Sequence, residues 1–432
     1  MIASPSVTST LTSSEACDRR WDIGIIGAGV AGSSLAIHLA RHGYSVLLIE
    51  SQRFPREKVC GGCLNQRAIA SLGAMGILAE CMAAGAVEID ALRIRQGTRE
   101  HRWSIPKMLS IRRSTLDAIL VRRAIEVGVQ YLDQTSATID SSEQDLACDV
   151  LIRLRNRDLA PFAPSSTLER TEADKLFKVR AGIAVVAAGL TRSPLTRSRS
   201  TSLDTWPAKT EKHSRIGVQA LIPADILEDG DSCWREALHL QARSDLRMLI
   251  GSDGYLGVSF TDGGFYDFAA AIDPAAVAQY RSIAVAIDHL LAECGLPSIG
   301  SLAPEGWKST PHLTRRSWPV AQDRIFLLGD SMGYVEPFTG EGMSWAMAGA
   351  RWLSDRLHNA LSSFAKHGND RQAVKDAESA WNDWAGVQRR RHQSICRWVA
   401  GQVRYPVRTA WVLKGLDWIP PVRNILLRKA TQ

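Results

Sequence analysis

After a stretch rich in Ser and Thr, the chain runs apolar from Trp21 to Ile26, broken only by Asp22 and Gly24. Such a short run, closed by Gly27, predicts a buried strand. Val30 to His42 predicts a helix stopped by Gly43, and Tyr44 to Glu50 predicts a second buried strand. These three segments form a βαβ unit. Ser51 to Leu64 is expected to be loop, and Gln66 to Gly85 helical. Val87 to Ile105 alternates like strand, with Ile89, Leu92, Ile94 and Trp103 at its apolar positions. Arg113 to Val127 predicts an amphipathic helix, because Leu116, Ile119, Leu120, Ala124 and Val127 share one face and Gly128 follows.

Further on, Ala137 to Arg180 is polar and strand-like around a loop at 160–172, and Ala181 to Gly189 is again a buried strand. Thr191 to Ser214, rich in Ser, Thr and Arg, predicts a surface loop. Gly217 to Ile222, Glu236 to Leu240, Met248 to Ile250, Tyr255 to Thr261 and Phe265 to Ile272 predict short antiparallel strands of a second domain. Asp273 to Cys294 predicts helix, Arg324 to Gly329 buried strand, and Gly340 to Leu361 helix. From Ala373 onward the chain is expected to be helical, rich in Trp and Arg, with interruptions at Pro406 and at Pro420-Pro421.

Composition changes little in this picture. At 432 residues, 45% hydrophobic and 22% charged, the chain has material for two or three globular domains. No apolar run reaches the roughly 18 residues a transmembrane helix needs. Arg19-Arg20 precedes an apolar run, but that run is the first strand of the βαβ unit, so no export signal is expected. The eight cysteines are too dispersed for a disulfide framework, which fits a reducing, cytoplasmic compartment. Charge does add something. The net +7 is concentrated: residues 385–432 hold ten Lys or Arg and one acid, Asp417, leaving about −2 for the rest. No nucleic-acid motif accompanies that charge.

The chemistry begins with Gly27-x-Gly29-x-x-Gly32, which follows a strand, opens a helix and is followed by Glu50 at the end of the next strand. The first Gly permits the tight turn, the second lets the backbone approach a pyrophosphate, and the third lets helix pack on strand. Ala31 sits in the same turn. The helix N-terminus then faces phosphates, and Glu50 can accept hydrogen bonds from ribose hydroxyls. A dinucleotide is the expected ligand.

Near residue 330, Arg324-Ile-Phe-Leu-Leu-Gly329-Asp330 resembles the Gly-Asp signature of flavoprotein hydroxylases, whose Asp bonds the ribityl chain of FAD. Glu336-Pro337-Phe338-Thr339-Gly340-Glu341-Gly342-Met343 follows as a Gly-rich turn opening a helix. In such families the amides of that turn face the pyrimidine edge of the flavin and favour its reduced, negative form. Arg113-Ser-Thr-Leu116-Asp117-Ala-Ile-Leu120 looks like the helix of the same superfamily whose Arg contacts FAD, with Arg112 the neighbouring candidate. Finally, Phe54-Pro55-Arg56-x-Lys58-x-Cys60-Gly61-Gly62 resembles the cysteine loop of the geranylgeranyl reductase family of FAD-dependent oxidoreductases. There the loop lies against the flavin, and reduced FAD delivers hydride to an isolated prenyl double bond.

What the resemblance implies is an α/β fold: a Rossmann-like FAD-binding domain with an inserted antiparallel β-sheet substrate domain and a helical C-terminal extension. The expected divisions are a disordered tail at 1–19, FAD-binding parts at 20–86, 106–200 and 313–370, substrate-domain parts at 87–105 and 201–312, and the extension at 371–432. Gly27, Gly29, Ala31, Gly32, Glu50, Cys60, Gly61, Arg113, Gly329, Asp330, Gly340, Gly342 and Met343 are the expected FAD contacts. Cys60 and Tyr255 are the candidates beside the reacting atoms, and no metal is expected. NAD(P)H is a compatible transient reductant, since hydroxylase-type relatives bind it without a second nucleotide-binding domain.

The expected reaction is reduction of a C=C bond in an isoprenoid or lipid-like apolar substrate. The alternatives are a flavin monooxygenase that hydroxylates an aromatic or polyketide substrate through a C4a-hydroperoxide and, behind it, a non-catalytic flavin-binding module. One departure bears on this choice: reductases of the family carry Y-x-W-x-F-P on the substrate sheet, whereas here Tyr255-Leu256-Gly257-Val258-Ser259-Phe260 has Gly257 in place of Trp and no Pro. The halogenase motif W-x-W-x-I-P is represented only by the fragment Trp103-Ser104-Ile105-Pro106. Cys60-Gly-Gly-Cys63 lacks the second pair a zinc site needs and the spacing of flavin disulfide reductases, so flavin packing is the expected role of Cys60. In the C-terminal segment, Trp398, Trp411 and Trp418 stand among basic residues. That text fits either packing on the catalytic body or peripheral contact with an anionic membrane.

Overall fold

The computed structural model describes residues 7–140, 149–156, 176–191, 193–196, 206, 208–228, 233–300, 302–336, 340–367, 371–391 and 393–431. Arg20–Ile26 and Val46–Ile49 form the first two strands, with helix Val30–Arg41 between them. Both strands pair in parallel, and Leu176–Val186 pairs in parallel on the other side of Arg20–Ile26. Gln130–Leu132 and Ile325–Leu327 extend this sheet outward, also in parallel. Strands covered on both faces are largely apolar, which is why VLLI is an unbroken run and WDIGII is interrupted only by Asp22 and Gly24. Their core includes Trp21, Ile23, Ile25 and Leu48, all without solvent exposure.

A second sheet of eight strands is built mainly from Val87–Gln96, Arg99–Ser110, Ile216–Pro223, Asp245–Ile250, Gly254–Thr261 and Phe265–Ile272. Its pairings are antiparallel except that between Asp245–Ile250 and Val87–Gln96, which is parallel. Helices Pro274–Tyr280 and Ile283–Glu293 pack on one face, where Phe268, Leu256 and Ile287 are fully buried. The opposite face carries Trp103, Met248 and Tyr255, in one apolar cluster with Val403 and Leu413 of the C-terminal helices. The extension consists of helices Arg371–Arg391, Gln393–Val403, Pro406–Trp418 and Pro420–Thr431. Proline opens the last two, where its missing N–H costs no helical hydrogen bond.

Several expectations change. The tail expected to be disordered is ordered from Val7. Val7 bridges to Phe54, Thr12 and Glu15 form a capping box on helix Ser13–Cys17, and Trp21 Nε1 donates to Ala16 O at 2.9 Å. Residues 1–6 lie outside the described residues, as does the 160–172 loop. The strand expected at Glu236–Leu240 is helix Cys233–Ala237 running into a turn. Trp234 and Leu238, four apart, are both buried, so the period is helical and the alternation of EALHL coincidental. The helix expected over Asp273–Cys294 is two helices, because Arg281 takes a left-handed conformation and Ser282 caps the second. The substrate-sheet strand expected to end at Ile105 runs on to Ser110, so residues 106–110 belong to the second sheet. Of the expected 191–214 loop, the described part includes helix Ser193–Thr196 and strand Ala208–Thr210.

Candidate functional site

The dinucleotide turn lies between the first strand and helix Val30–Arg41. A Cβ at Gly32 would stand 1.9 Å from Gly27 O, so only glycine allows the helix this close to the strand. Gly29 opens the other way. A Cβ there would point at Arg113 Nη2, 3.4 Å off, and Arg56 Nη2, 3.6 Å off. Two guanidinium groups therefore face the N-terminus of the helix, where amide dipoles already favour an anion. Asp117 receives Arg113 in two hydrogen bonds of 3.0 and 2.8 Å, and Arg56 lies 3.4 Å from the same carboxylate. Burial works against the charge on Arg113, but Asp117 outweighs it and holds the pKa above its usual range. Arg112 turns away, its Nε 3.1 Å from Asp262 Oδ2. Of the two neighbouring arginines in the motif, Arg113 is thus the one at the turn.

Glu50 is buried at the end of its strand. It accepts from the Ala28 N–H at 3.1 Å and the Gln52 N–H at 3.1 Å, with Arg56 Nη2 at 3.3 Å. Across the site, Gly329 opens a short turn of 3-10 helix, and a Cβ on it would come within 2.8 Å of Ala31 Cβ. Asp330 stands 3.8 Å from Lys58 Nζ. Gly340 approaches the Cys60–Cys63 loop so closely that a Cβ would meet Cys63 Cβ at 2.9 Å. Gly342 and Met343 open helix Gly342–His367, while Pro337, Phe338 and Thr339 lie outside the described residues.

Both glycine turns, Glu50, Arg56, Arg113 and the Cys60–Cys63 loop border one cavity of about 780 Å³. It is lined by Gly27, Gly29, Ala31, Glu50, Cys60, Gly61, Arg113, Tyr255, Gly329, Asp330, Gly340, Gly342 and Met343. Of the expected site residues only Gly32 is not on its wall, being packed beneath the turn. The far wall comes from the second sheet, through Met248, Gly257, Ser259, Asp267 and Ala269. At Gly257 a Cβ would sit 3.3 Å from Met248 Sδ, so even a small side chain there would press on Met248.

Sequence reading missed the link between the two halves. Gln219 accepts from the Cys60 N–H at 3.2 Å and donates to Cys60 O at 2.8 Å, tying the cysteine loop to the sheet as a peptide group would. The same amide donates to both oxygens of Asp267, at 2.9 and 2.8 Å. Burial, only partly offset by Gln219, pushes the Asp267 carboxyl up to about 8. A signal was present: Gln219 and Asp267 each interrupt an apolar strand, and a polar group in a buried strand needs a partner. Arg215 and Glu336 form a second missed pair, 2.8 Å apart and almost fully buried, with the Arg215 guanidinium 5.6 Å over the Tyr255 ring. Burial raises the Tyr255 phenol well above its usual value. Burial likewise pushes the Cys63 thiol up to about 12, which disfavours the thiolate a redox-active dithiol requires.

The residues present fit a flavin dinucleotide. The Gly29 cradle would be filled by a Cβ, and Arg56 Nε, buried beside it, has no hydrogen-bond partner among the described residues. Gly27, Gly29, Arg56 and Arg113 are placed to hold the phosphates, and Glu50 a ribose.

Comparison with known proteins agrees. Residues 20–156 match the family described as FAD binding domain. The chain is 24% identical over 379 residues to 1H-pyrrole-2-carbonyl-[peptidyl-carrier protein] brominase of Pseudoalteromonas luteoviolacea, covering 85% of this chain and 82% of that one. It is 26% identical over 356 residues to kynurenine 3-monooxygenase of Salinispora tropica, covering 76% and 70%. The solved structure of a flavin-dependent brominase superposes with a TM-score of 0.69 at 19% identity, over 96% of this chain and 94% of that one. Residues 20–156 thus resemble an FAD binding domain, and the chain as a whole shares the fold of that flavin-dependent brominase.

Proposed function

We propose that the chain is an FAD-dependent monooxygenase that hydroxylates an apolar aromatic or polyketide-like substrate, with NAD(P)H as transient reductant. The observation that carries this reading is the cavity joining the Gly27–Glu50 turn to the Met248–Gly257 wall, which would place cofactor and substrate side by side. The likeness to kynurenine 3-monooxygenase and to flavin-dependent brominases supports oxygen chemistry over prenyl reduction. FAD, when bound and reduced, supplies the electrons that activate dioxygen. The chain's own residues do the rest. Arg113, Arg56 and the turn hold the dinucleotide, Gln219 fixes the Cys60 loop between cofactor and sheet, and the apolar wall excludes water. Asp267 and Tyr255 hold protons on that wall.

Reduction of a substrate C=C bond is the second reading, favoured by the position of Cys60 and Gly61 on the cavity wall. One experiment separates them. The purified protein is loaded with FAD and given candidate aromatic, polyketide and prenyl substrates under ¹⁸O₂. A monooxygenase incorporates one labelled oxygen per NAD(P)H consumed. Unlabelled product formed anaerobically by dithionite-reduced protein would instead establish the reductase.

A further inference from the structure

Among the described residues, thirteen large hydrophobic side chains are exposed, and eight of them fall between Trp398 and Ile425, in less than a tenth of the chain. Helix Pro406–Trp418 shows how they are arranged. Val407, Trp411, Lys414 and Trp418 recur at intervals of four, three and four, along one side of the helix. Trp411 and Trp418 are 70% and 79% exposed. Thr409 and Leu413 are buried instead, and Leu413 joins the cluster that contains Met248 and Tyr255. Ile419, at the end of that helix, and Val422 and Ile425, in helix Pro420–Thr431, are exposed as well. Large apolar groups concentrated in one place mark a contact surface, whereas scattered ones need no explanation.

The charges say what covers it. Residues 393–431 contain seven Lys or Arg and one acid, Asp417. Asp417 is engaged inward: Trp103 Nε1 donates to it at 2.8 Å and His101 Nδ1 bonds its other oxygen. On the exposed side, the Arg408 guanidinium lies 4.6 Å over the Tyr405 ring, and the Lys414 ammonium 5.8 Å over the Trp411 ring. Aromatic rings beside cations match the headgroup region of a bilayer. There an indole sits between acyl chains and water, and a cation meets lipid phosphate. No described helix is long and apolar enough to cross a membrane, so contact would be peripheral.

We propose that helices Pro406–Trp418 and Pro420–Thr431 dock this protein on an anionic lipid surface, through the Trp411–Trp418–Val422 stripe and the flanking Arg408 and Lys414. The inner side of the same helices packs on the sheet whose Met248 and Tyr255 line the cavity. On the oxidoreductase reading, docking therefore sets the substrate wall about one helix thickness, roughly 10 Å, from the lipid. Docking itself does not depend on that reading.

The test is co-sedimentation of the full-length, FAD-loaded protein with vesicles, without substrate, so that failure here leaves the proposed activity untouched. The wild type is expected to bind phosphatidylglycerol-containing vesicles, to bind phosphatidylcholine alone about tenfold more weakly, and to be released by salt. Trp411→Ser with Trp418→Ser should lower binding about tenfold or more while keeping FAD content and Tm. Arg408→Glu with Lys414→Glu should remove the preference for the anionic lipid. Binding of the wild type no stronger to anionic than to zwitterionic vesicles overturns the proposal, as does equal binding by both double variants. A wild-type dimer that the tryptophan variant dissociates, without vesicle binding by either, also overturns it and assigns the stripe to a second copy of this chain.

Discussion

Asp267 is a carboxyl on the cavity wall whose only hydrogen-bond donor among the described residues is the Gln219 amide. In the unfolded chain it ionises near 3.8; in the fold, desolvation raises this to about 8. Between those values the native state holds a proton that the unfolded chain has lost, so stability falls as pH rises and levels off above about 8. Asp267→Asn keeps the amide-sized shape and removes the titration. Thermal unfolding of both proteins from pH 5 to 9 should show the variant flatter, by about 1.4 kcal/mol per pH unit below pH 8. Identical profiles would mean that Asp267 is ionised throughout. This residue was legible only as an anomaly. A lone Asp in FYDFAAAI announces a buried polar group, but its partner, Gln219, is on the neighbouring strand and no local pattern identifies it.

At the scale of elements, the proposed phosphate cradle lies where helix Val30–Arg41 meets helix Arg113–Glu126. The sequence narrowed the arginine to two neighbours. The start of the second helix decides between them, because Arg113 is its first helical residue whereas Arg112 is the extended residue before it, so the two side chains leave in different directions. Arg113 turns toward Gly29, and Arg112 toward Asp262 and Phe265. Arg113→Met should therefore weaken FAD binding about 10- to 100-fold in a fluorescence titration, as expected for loss of a charge-assisted contact in a buried site. Arg112→Met should leave that affinity within about twofold and show its cost in Tm instead, through the unpaired Asp262. Equal effects on affinity would contradict the assignment. The strand of Gln219 and the Cys60 loop meet on the same principle. A loop with no secondary structure of its own is fixed by an amide that satisfies both backbone groups of Cys60.

For the whole molecule, the C-terminal helices cover one face of the second sheet as well as presenting an exposed surface. Val403 and Leu413 are buried in the cluster with Trp103, Met248 and Tyr255. Removing residues 393–432 uncovers that face and forfeits about 3–6 kcal/mol from these two side chains alone. The truncated protein should unfold at a lower temperature by about 5 °C or more and bind a hydrophobic dye. It should still take up FAD, since the Gly27–Glu50 turn and Arg113 lie in other elements. Loss of FAD binding at a temperature where the truncated chain remains folded would show that the extension also shapes the cofactor site.

The sequence by itself determined what is local. A buried parallel strand, a tight glycine turn and a helix start must be written contiguously, so the dinucleotide turn, Glu50 and the Gly329-Asp330 turn could be read directly. The period of apolar residues likewise revealed helix Arg113–Glu126 and most strands of the second sheet. It failed where two periods coincide over five residues, as at Glu236–Leu240, and where short polar text is held by distant partners, as at residues 7–19. Only the tertiary structure decided what depends on residues far apart in the chain. The pairing of Arg56 with Asp117, the Gln219–Asp267–Cys60 network and the buried Arg215–Glu336 pair each join separate segments. Tertiary structure also decided which tryptophans of the C-terminal segment face outward. Helical spacing defines a stripe, but only packing against the sheet determines which side of the helix is left to solvent.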